Sequence, residues 1–145
     1  MENTEVHREM ITQEYINSLS FKIIGCAIEV HKQLGPGLLE SVYEECLFDE
    51  LKEAELFPKR QLAVPIMYKG KTLGNPLKLD LIVNDLVIVE NKAVEVLHPV
   101  HTAILLSYLT LAGKPKGLLF NFCSLNIKDT MVSLVTPEFA KLPRK

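Results

Sequence analysis

The sequence has no tryptophan, only three cysteines, no long apolar run and no excess of positive charge. Each scarcity excludes a class. Cys26, Cys46 and Cys123 are odd in number and widely spaced, with no C-x-x-C, which argues against a disulfide framework or a structural zinc site and for free thiols in a reducing compartment. The longest apolar runs, such as Leu86 to Val89, fall far short of the roughly 20 residues of a membrane span. The first residues, MENTEVHREM, are charged and lack the apolar stretch of a signal peptide, so a cytoplasmic, soluble protein with no membrane partner is expected. Sixteen Lys and Arg against eighteen Asp and Glu leave a formal charge of -2. No overall basic field gathers nucleic acid, and any phosphate-binding surface has to be a local patch.

What is present is an ordinary globular composition: 48% hydrophobic and 23% charged residues over 145 positions. That suits one domain, since two cores of half this length would each be marginal. A single domain over residues 1–145 is expected, with flexible tails at about 1–10 and 138–145. Mean hydropathy is +0.15, which points to an apolar surface covered by a second copy, a homodimer.

From about Glu9 to Val30, Ile16, Leu19, Ile23, Ala27 and Val30 recur at helical spacing. Gly35-Pro36-Gly37 ends that helix. A second helix is expected from Leu38 to about Ala54, with Leu39, Val42, Cys46, Leu47 and Leu51 on its apolar side. Leu62, Val64, Ile66 and Tyr68 alternate as a strand does, and Lys69-Gly70-Lys71 turns the chain. Strands are expected at Leu77 to Val83 and Leu86 to Lys92. Pro99 opens a third helix, Val100 to Ala112, apolar nearly all round and so expected to be buried. Lys116 to Phe122 and Ile127 to Val135 read as two final strands. The order is ααβββαββ, an α/β (α+β) domain with a mixed sheet flanked by helices.

The hairpin around Asn84-Asp85 can be registered from its hydrophobic pattern. A two-residue loop would set Asp80 opposite Val89 and mix charges with aliphatics on both faces. A three-residue loop sets Val83 opposite Val87 and Asp80 opposite Glu90. Lys78, Asp80, Ile82, Ile88, Glu90 and Lys92 then share one face, while Leu77, Leu79, Leu81, Val83, Val87 and Val89 share the other. Because a one-residue slip exchanges whole faces, the three-residue loop is expected. Asp80, Glu90 and Lys92 then stand side by side. Two neighbouring carboxylates repel unless a cation sits between them, and hard oxygen ligands suit Mg²⁺ or Mn²⁺, which keep waters and accept a substrate phosphate. A surface ladder of cross-strand ion pairs has the same residue types, and the pattern taken alone favours the ladder.

A longer set of motifs shifts that balance. Gly37-Leu38-Leu39-Glu40-Ser41-Val42-Tyr43 matches G-x-x-E-x-x-Y, and Tyr68-Lys69-Gly70, Asp80-Leu81-Ile82-Val83 and Ile88-Val89-Glu90-Asn91-Lys92-Ala93-Val94-Glu95 follow it. His101, Leu105-Leu106-Ser107-Tyr108-Leu109 and Gly117-Leu118-Leu119-Phe120-Asn121-Phe122 complete the series. In that order and spacing, from roughly Ile16 to Val135, the chain resembles the GxxExxY family, a small prokaryotic branch of the PD-(D/E)XK nuclease-like superfamily. The resemblance implies a restriction-endonuclease-like core and a divalent-metal-dependent nuclease that hydrolyses phosphodiester bonds in nucleic acid, DNA above all. It implies metal ligands at Asp80, Glu90, Glu40 and the Asn91 carbonyl, a catalytic Lys92, and Tyr43, His101 and Tyr108 around them.

The chain also departs from the family. Ile104 stands where relatives carry a Gln before Tyr108, Lys128-Asp129 where they tend to have Lys-Arg, and Cys123 where a glycine is favoured. These departures keep open a second expectation, a weakened or inactive member serving as a nucleic-acid-binding or protein-interaction module. His98 and His101 lack further ligands for zinc, and His98 reads as a loop residue. Glu44 and Glu45 read as solvated helix surface. Lys69, Lys71, Lys78, Lys114 and Lys116 are the basic residues that could meet a phosphate backbone.

Overall fold

The computed structural model describes residues 11–145. The expected helix start at Glu9 and the expected tail at residues 1–10 lie outside them. Two helices come first, α1 (Gln13–Leu34) and α2 (Glu40–Glu53). They are followed by β1 (Pro58–Val64), a small hairpin of β2 (Met67–Tyr68) and β3 (Lys71–Thr72), then β4 (Leu77–Val83) and β5 (Val87–Lys92). Helix α3 (Pro99–Ala112) crosses to β6 (Lys116–Asn121), and α4 (Ile127–Thr130), β7 (Val132–Val135) and α5 (Pro137–Ala140) complete the chain. The main sheet has the order β1-β4-β5-β6-β7. Its β5–β6 pair is parallel and its other pairs are antiparallel.

Local chemistry sets the element ends. The Thr12 hydroxyl caps α1 by accepting the Tyr15 N–H at 3.0 Å, and Ile16, Leu19, Ile23, Ala27 and Val30 are all buried, as their spacing predicts. Gly35, at φ 69°, closes the helix in a conformation that costs glycine nothing. The next turn is pinned by Tyr43, whose hydroxyl donates to the Gly35 carbonyl and accepts the Leu38 N–H. Helix α2 is rotated from the expected apolar side: Tyr43, Glu44, Leu47 and Leu51 face inward, while Leu39 and Val42 are exposed.

The sheet is sandwiched. Leu81, Val83, Val87, Val89, Leu118 and Phe120 pack with α1 and α2, and Ile82, Ile88 and Leu119 pack with Leu105 and Leu109 of α3. Strand β1 ends at Val64, before Pro65, and Met67–Tyr68 pairs separately with Lys71–Thr72, so the alternation from Leu62 to Tyr68 spans two elements. The expected strand from Ile127 is also divided. The Asn126 side chain accepts the Lys128 N–H at 3.1 Å and starts α4, and only Val132–Val135 is extended. Residues 138–145, expected as a tail, are tied to α1 through Gln13 N–H to the Pro143 carbonyl at 2.8 Å and Glu14 N–H to the Arg144 carbonyl at 3.1 Å.

Helix α3 corrects another expectation. Only Leu105 and Leu109 are buried on it, and Val100, Ile104, Leu106 and Leu111 are exposed. It forms a single outer layer, so its inner face alone is covered. That contact is close: a Cβ placed on Gly117 of β6 would lie 2.8 Å from Leu109 Cδ1 and 3.0 Å from Leu105 Cδ1. Gly117→Ala is therefore expected to destabilise the protein by about 1–3 kcal/mol, because a packed interface has to yield. Urea unfolding with an unchanged slope and a lower midpoint checks this.

Candidate active site

The β4–β5 ladder runs Val83↔Val87, Ile82↔Ile88 and Leu81↔Val89, which is the expected three-residue register. Asn84 and Asp85 both take left-handed conformations, at φ 54° and 59°, as residues of these types tolerate. Asn84 also accepts the Phe57 N–H at 2.8 Å. The ladder stops at Leu81↔Val89, so Asp80 and Glu90 form the first opposed pair beyond it. On the other side, β1 pairs Arg60↔Leu81 and Leu62↔Leu79 but skips Gln61 and Asp80. Gln61 sits at φ 50°, a conformation costly for a side-chain-bearing residue. Both ladders are thus interrupted at Asp80. Beyond the break, Leu79 packs with Ile82 and Ile88, where strict alternation would place it with Leu81.

Side chains take over the backbone groups that the ladders leave. The Asp80 N–H donates to Glu90 Oε2 at 3.2 Å, and the Asn91 N–H donates to Asp80 Oδ2 at 3.0 Å. Each carboxylate is fastened to the opposite strand. Glu90 is buried, and its burial, reinforced by the nearby Asp80 charge, pushes its pKa up to about 8. Asp80 is raised too, by burial first, against the lowering effect of the Asn91 N–H; Glu44 and Glu40 add to the rise, and Lys92 opposes it. At neutral pH the metal-free pair holds a proton between two oxygens that would otherwise repel.

The surroundings follow the expectations in part. Lys92, half-buried, stands close enough to ease the charge on both carboxylates. His101 and Tyr108 flank them from α3. The Tyr108 pKa is raised by burial and then by the Glu90 and Asp80 charges, and that of His101 is lowered by burial, Lys92 and His98. Glu40 is exposed at the first turn of α2; it acts on Asp80 through its charge, and among the described residues no group of three or more His, Cys, Asp or Glu converges to hold a metal. Tyr43 is core: fully buried, stacked on Phe122 at 4.7 Å, its hydroxyl committed to the turn after α1. Asn91 is fully buried, and neither atom of its side-chain amide has a partner among the described residues.

Glu44 is the acidic residue that sequence reasoning placed wrongly on the solvated surface. It is buried, receiving Arg60 Nε at 3.2 Å and Gln61 Nε2 at 3.1 Å. The signal was there, since Glu40, Glu44, Leu47 and Leu51 share one helical stripe. The basic residues also sort differently from expectation. Lys116 is nearly buried and Lys114 pairs with Asp85 at 3.2 Å. Both lie at the far end of the parallel pair, where Lys116 is opposite Val87, whereas Lys92 is opposite Asn121.

Two hard carboxylates with a buried proton between them fit Mg²⁺ or Mn²⁺, which bind through one or two carboxylates and fill their remaining positions with water or substrate oxygens. The raised carboxyl pKa also has a sign for stability. The folded pKa of Glu90 lies above the unfolded value near 4.3, so folding takes up a proton between them. Stability present below the unfolded pKa is lost as pH rises through the folded one. Unfolding free energy in EDTA is expected to fall from about pH 5 to about pH 8, by on the order of 4 kcal/mol, and Glu90→Gln to flatten the profile. Separately, Asn91→Leu removes two unpartnered polar atoms and is expected to stabilise the fold by about 1 kcal/mol in urea unfolding.

Comparison with known proteins agrees with this layout. A family model for the PD-(D/E)XK nuclease superfamily matches residues 17–133, a span containing every residue of the site. Searches of curated proteins and of solved structures found no match. The five-stranded mixed sheet flanked by helices is consistent with a restriction-endonuclease-like fold. Matched over most of its length, the chain belongs to the PD-(D/E)XK nuclease superfamily.

Proposed function

We propose that the protein is a divalent-metal-dependent nuclease of the GxxExxY branch, hydrolysing phosphodiester bonds in DNA. The observation that carries this reading is the Asp80–Glu90 pair, fastened across the end of a broken ladder with Lys92 beside it. A structural ion-pair ladder has no need to bury two carboxylates against each other, whereas a cation site does. PD-(D/E)XK nucleases generally use divalent metals, and among the described residues no helix is long and apolar enough to cross a membrane.

In this reading Asp80, Glu90 and the Asn91 carbonyl would hold Mg²⁺ or Mn²⁺, and Glu40, whose charge already acts on Asp80, would complete the acidic set. When bound, the ion supplies Lewis acidity toward a phosphoryl oxygen and lowers the pKa of a bound water. The chain's own groups do the rest. The Asp80 N–H and the Asn91 N–H fix the two carboxylates, so their geometry is set before substrate arrives. The Lys92 ammonium orients the attacking water and offsets the negative charge that grows on the phosphorus oxygens. Tyr108 and His101 close the α3 side. A second copy over the uncharged outer face of α3 would account for Val100 at 55% and Leu111 at 46% exposure.

Wild-type protein is expected to cleave DNA with Mn²⁺, and Asp80→Ala and Lys92→Ala to lose that cleavage by at least about a hundredfold. Circular dichroism confirms that the variants fold, and titration calorimetry reads Mn²⁺ binding. Equal cleavage by all three proteins would overturn the assignment. Absence of Mn²⁺ binding at millimolar concentration would favour a non-catalytic binding module.

A further inference from the structure

Beyond the C-terminal ends of the parallel pair β5 and β6 lies a cleft of about 700 Å³, with Val96, Leu97, Pro99 and Val132 among its lining. A second hollow of about 480 Å³ shares Glu95, Val96 and His98 with it and reaches His101. The two hollows meet at the first turn of α3, where His101 feels the Lys92 charge. Their walls are mainly apolar, and among the described residues no lysine or arginine lines either one.

The floor is built in advance. Asn121 Oδ1 accepts the N–H groups of Val94 and Cys123 at 3.1 and 3.2 Å, and its Nδ2 donates to the Val94 carbonyl at 2.9 Å. Ser124 Oγ donates to the Asn121 carbonyl at 2.9 Å and accepts from Thr130 Oγ1 at 3.0 Å. These polar groups hold the loop after β5 in place. At the rim the His98 N–H donates to His101 Nδ1 at 3.3 Å. An Nδ1 that accepts is the unprotonated nitrogen of a neutral ring, so the His101 proton is on Nε2. The two imidazoles stand 6.1 Å apart at 59°, offering planar surfaces.

The distribution of charge decides which part of a substrate fits. A phosphate needs the cation site and Lys92; a cleft without Lys or Arg, with Glu95 at its edge, repels one. An uncharged, planar group suits apolar walls and imidazole faces, and in nucleic acid that group is the base. Within a duplex the base faces are stacked and out of reach, so a hollow of this kind takes a base only when it has left the stack. We propose that the cleft seats an unpaired nucleobase next to the scissile phosphate, making single-stranded or locally unpaired DNA the substrate. The proposal rests on the nuclease reading and names the substrate class for it.

Fluorescence anisotropy with the full chain in EDTA separates the two. Three probes are used: a single strand of about twelve nucleotides, its blunt duplex, and the same strand with abasic sugars. The single strand is expected to bind at least about tenfold more tightly than the other two, the loss expected when base contacts go. Val96 is 62% exposed, so Val96→Glu leaves the core intact; it is expected to reduce single-strand binding to the abasic level. Lys92→Ala is expected to weaken all three probes together. Equal binding of the abasic strand, preference for the duplex, or an unaffected Val96→Glu variant would overturn the base seat while leaving the nuclease reading standing. No binding of any probe would also overturn the base seat, and cleavage of DNA with Mn²⁺ tests the nuclease reading on its own.

Discussion

The structure turns on two carboxylates placed where repulsion should keep them apart. Asp80 and Glu90 lie opposite each other at the first position beyond the β4–β5 ladder, and each accepts the N–H that the ended ladder would otherwise leave unpaired. The bond geometry fixes them; the burial makes their charges costly. A proton or a divalent cation has to resolve that conflict, and the proton does so only up to about pH 8. Electrostatic demand and strand geometry are here one feature: the sheet opens at the position where the charges are needed.

Around that point the chain accepts several local costs. Gln61, directly across from Asp80, holds a left-handed conformation and directs its amide at Glu44. Glu44 is itself buried and depends on Arg60 for compensation. Asn91 has a buried amide with no partner among the described residues. Away from the site the ladders are regular and the core is aliphatic. Local rules that fail together within a few residues mark a place under a demand other than stability. The unpartnered Asn91 amide stands on the residue whose N–H steadies Asp80, so the demand reaches the backbone as well as the carboxylates.

Much of this was legible in the residues. The aliphatic alternation from Leu77 to Val89 determined the hairpin register, because the alternative would have buried charges on both faces. The stripe from Ile16 to Val30 defined α1. Helix α3 misled because uniform apolarity states that a helix can be covered on every side, not that it is; Leu105 and Leu109, with Tyr108 and Ala112 beside them, pack toward the sheet, and among the described residues nothing covers the outer face. The Ile127 strand misled because one capping side chain, Asn126, outweighs the extended preference of four residues. Glu44 was missed because a carboxylate on a buried stripe reads as surface until its partners, Arg60 and Gln61, are brought in from a distant strand. The break at Asp80 depends on the backbone of Gln61, which composition does not reveal.

The scarcity of positive charge, which first argued against nucleic acid, takes on a different meaning in three dimensions. Arg60 is committed to Glu44, Lys114 to Asp85, and Lys116 is sunk at the end of β6 remote from the carboxylates. From Lys116 to the level of Lys92 is a rise of five steps of parallel strand, roughly 16 Å, beyond the screening distance of about 8 Å at physiological salt. Lys92 therefore acts near the pair without reinforcement from those cations. On the proposed nuclease reading, a phosphate would be drawn to such a site by a bound divalent ion more than by the protein's own field, and the mainly apolar cleft would add contact without adding positive charge. On that reading the slightly acidic surface has a physical consequence: nucleic acid without a reachable scissile phosphate and a seated neighbour would gain little from binding, so discrimination would come from fit at one place and not from attraction everywhere.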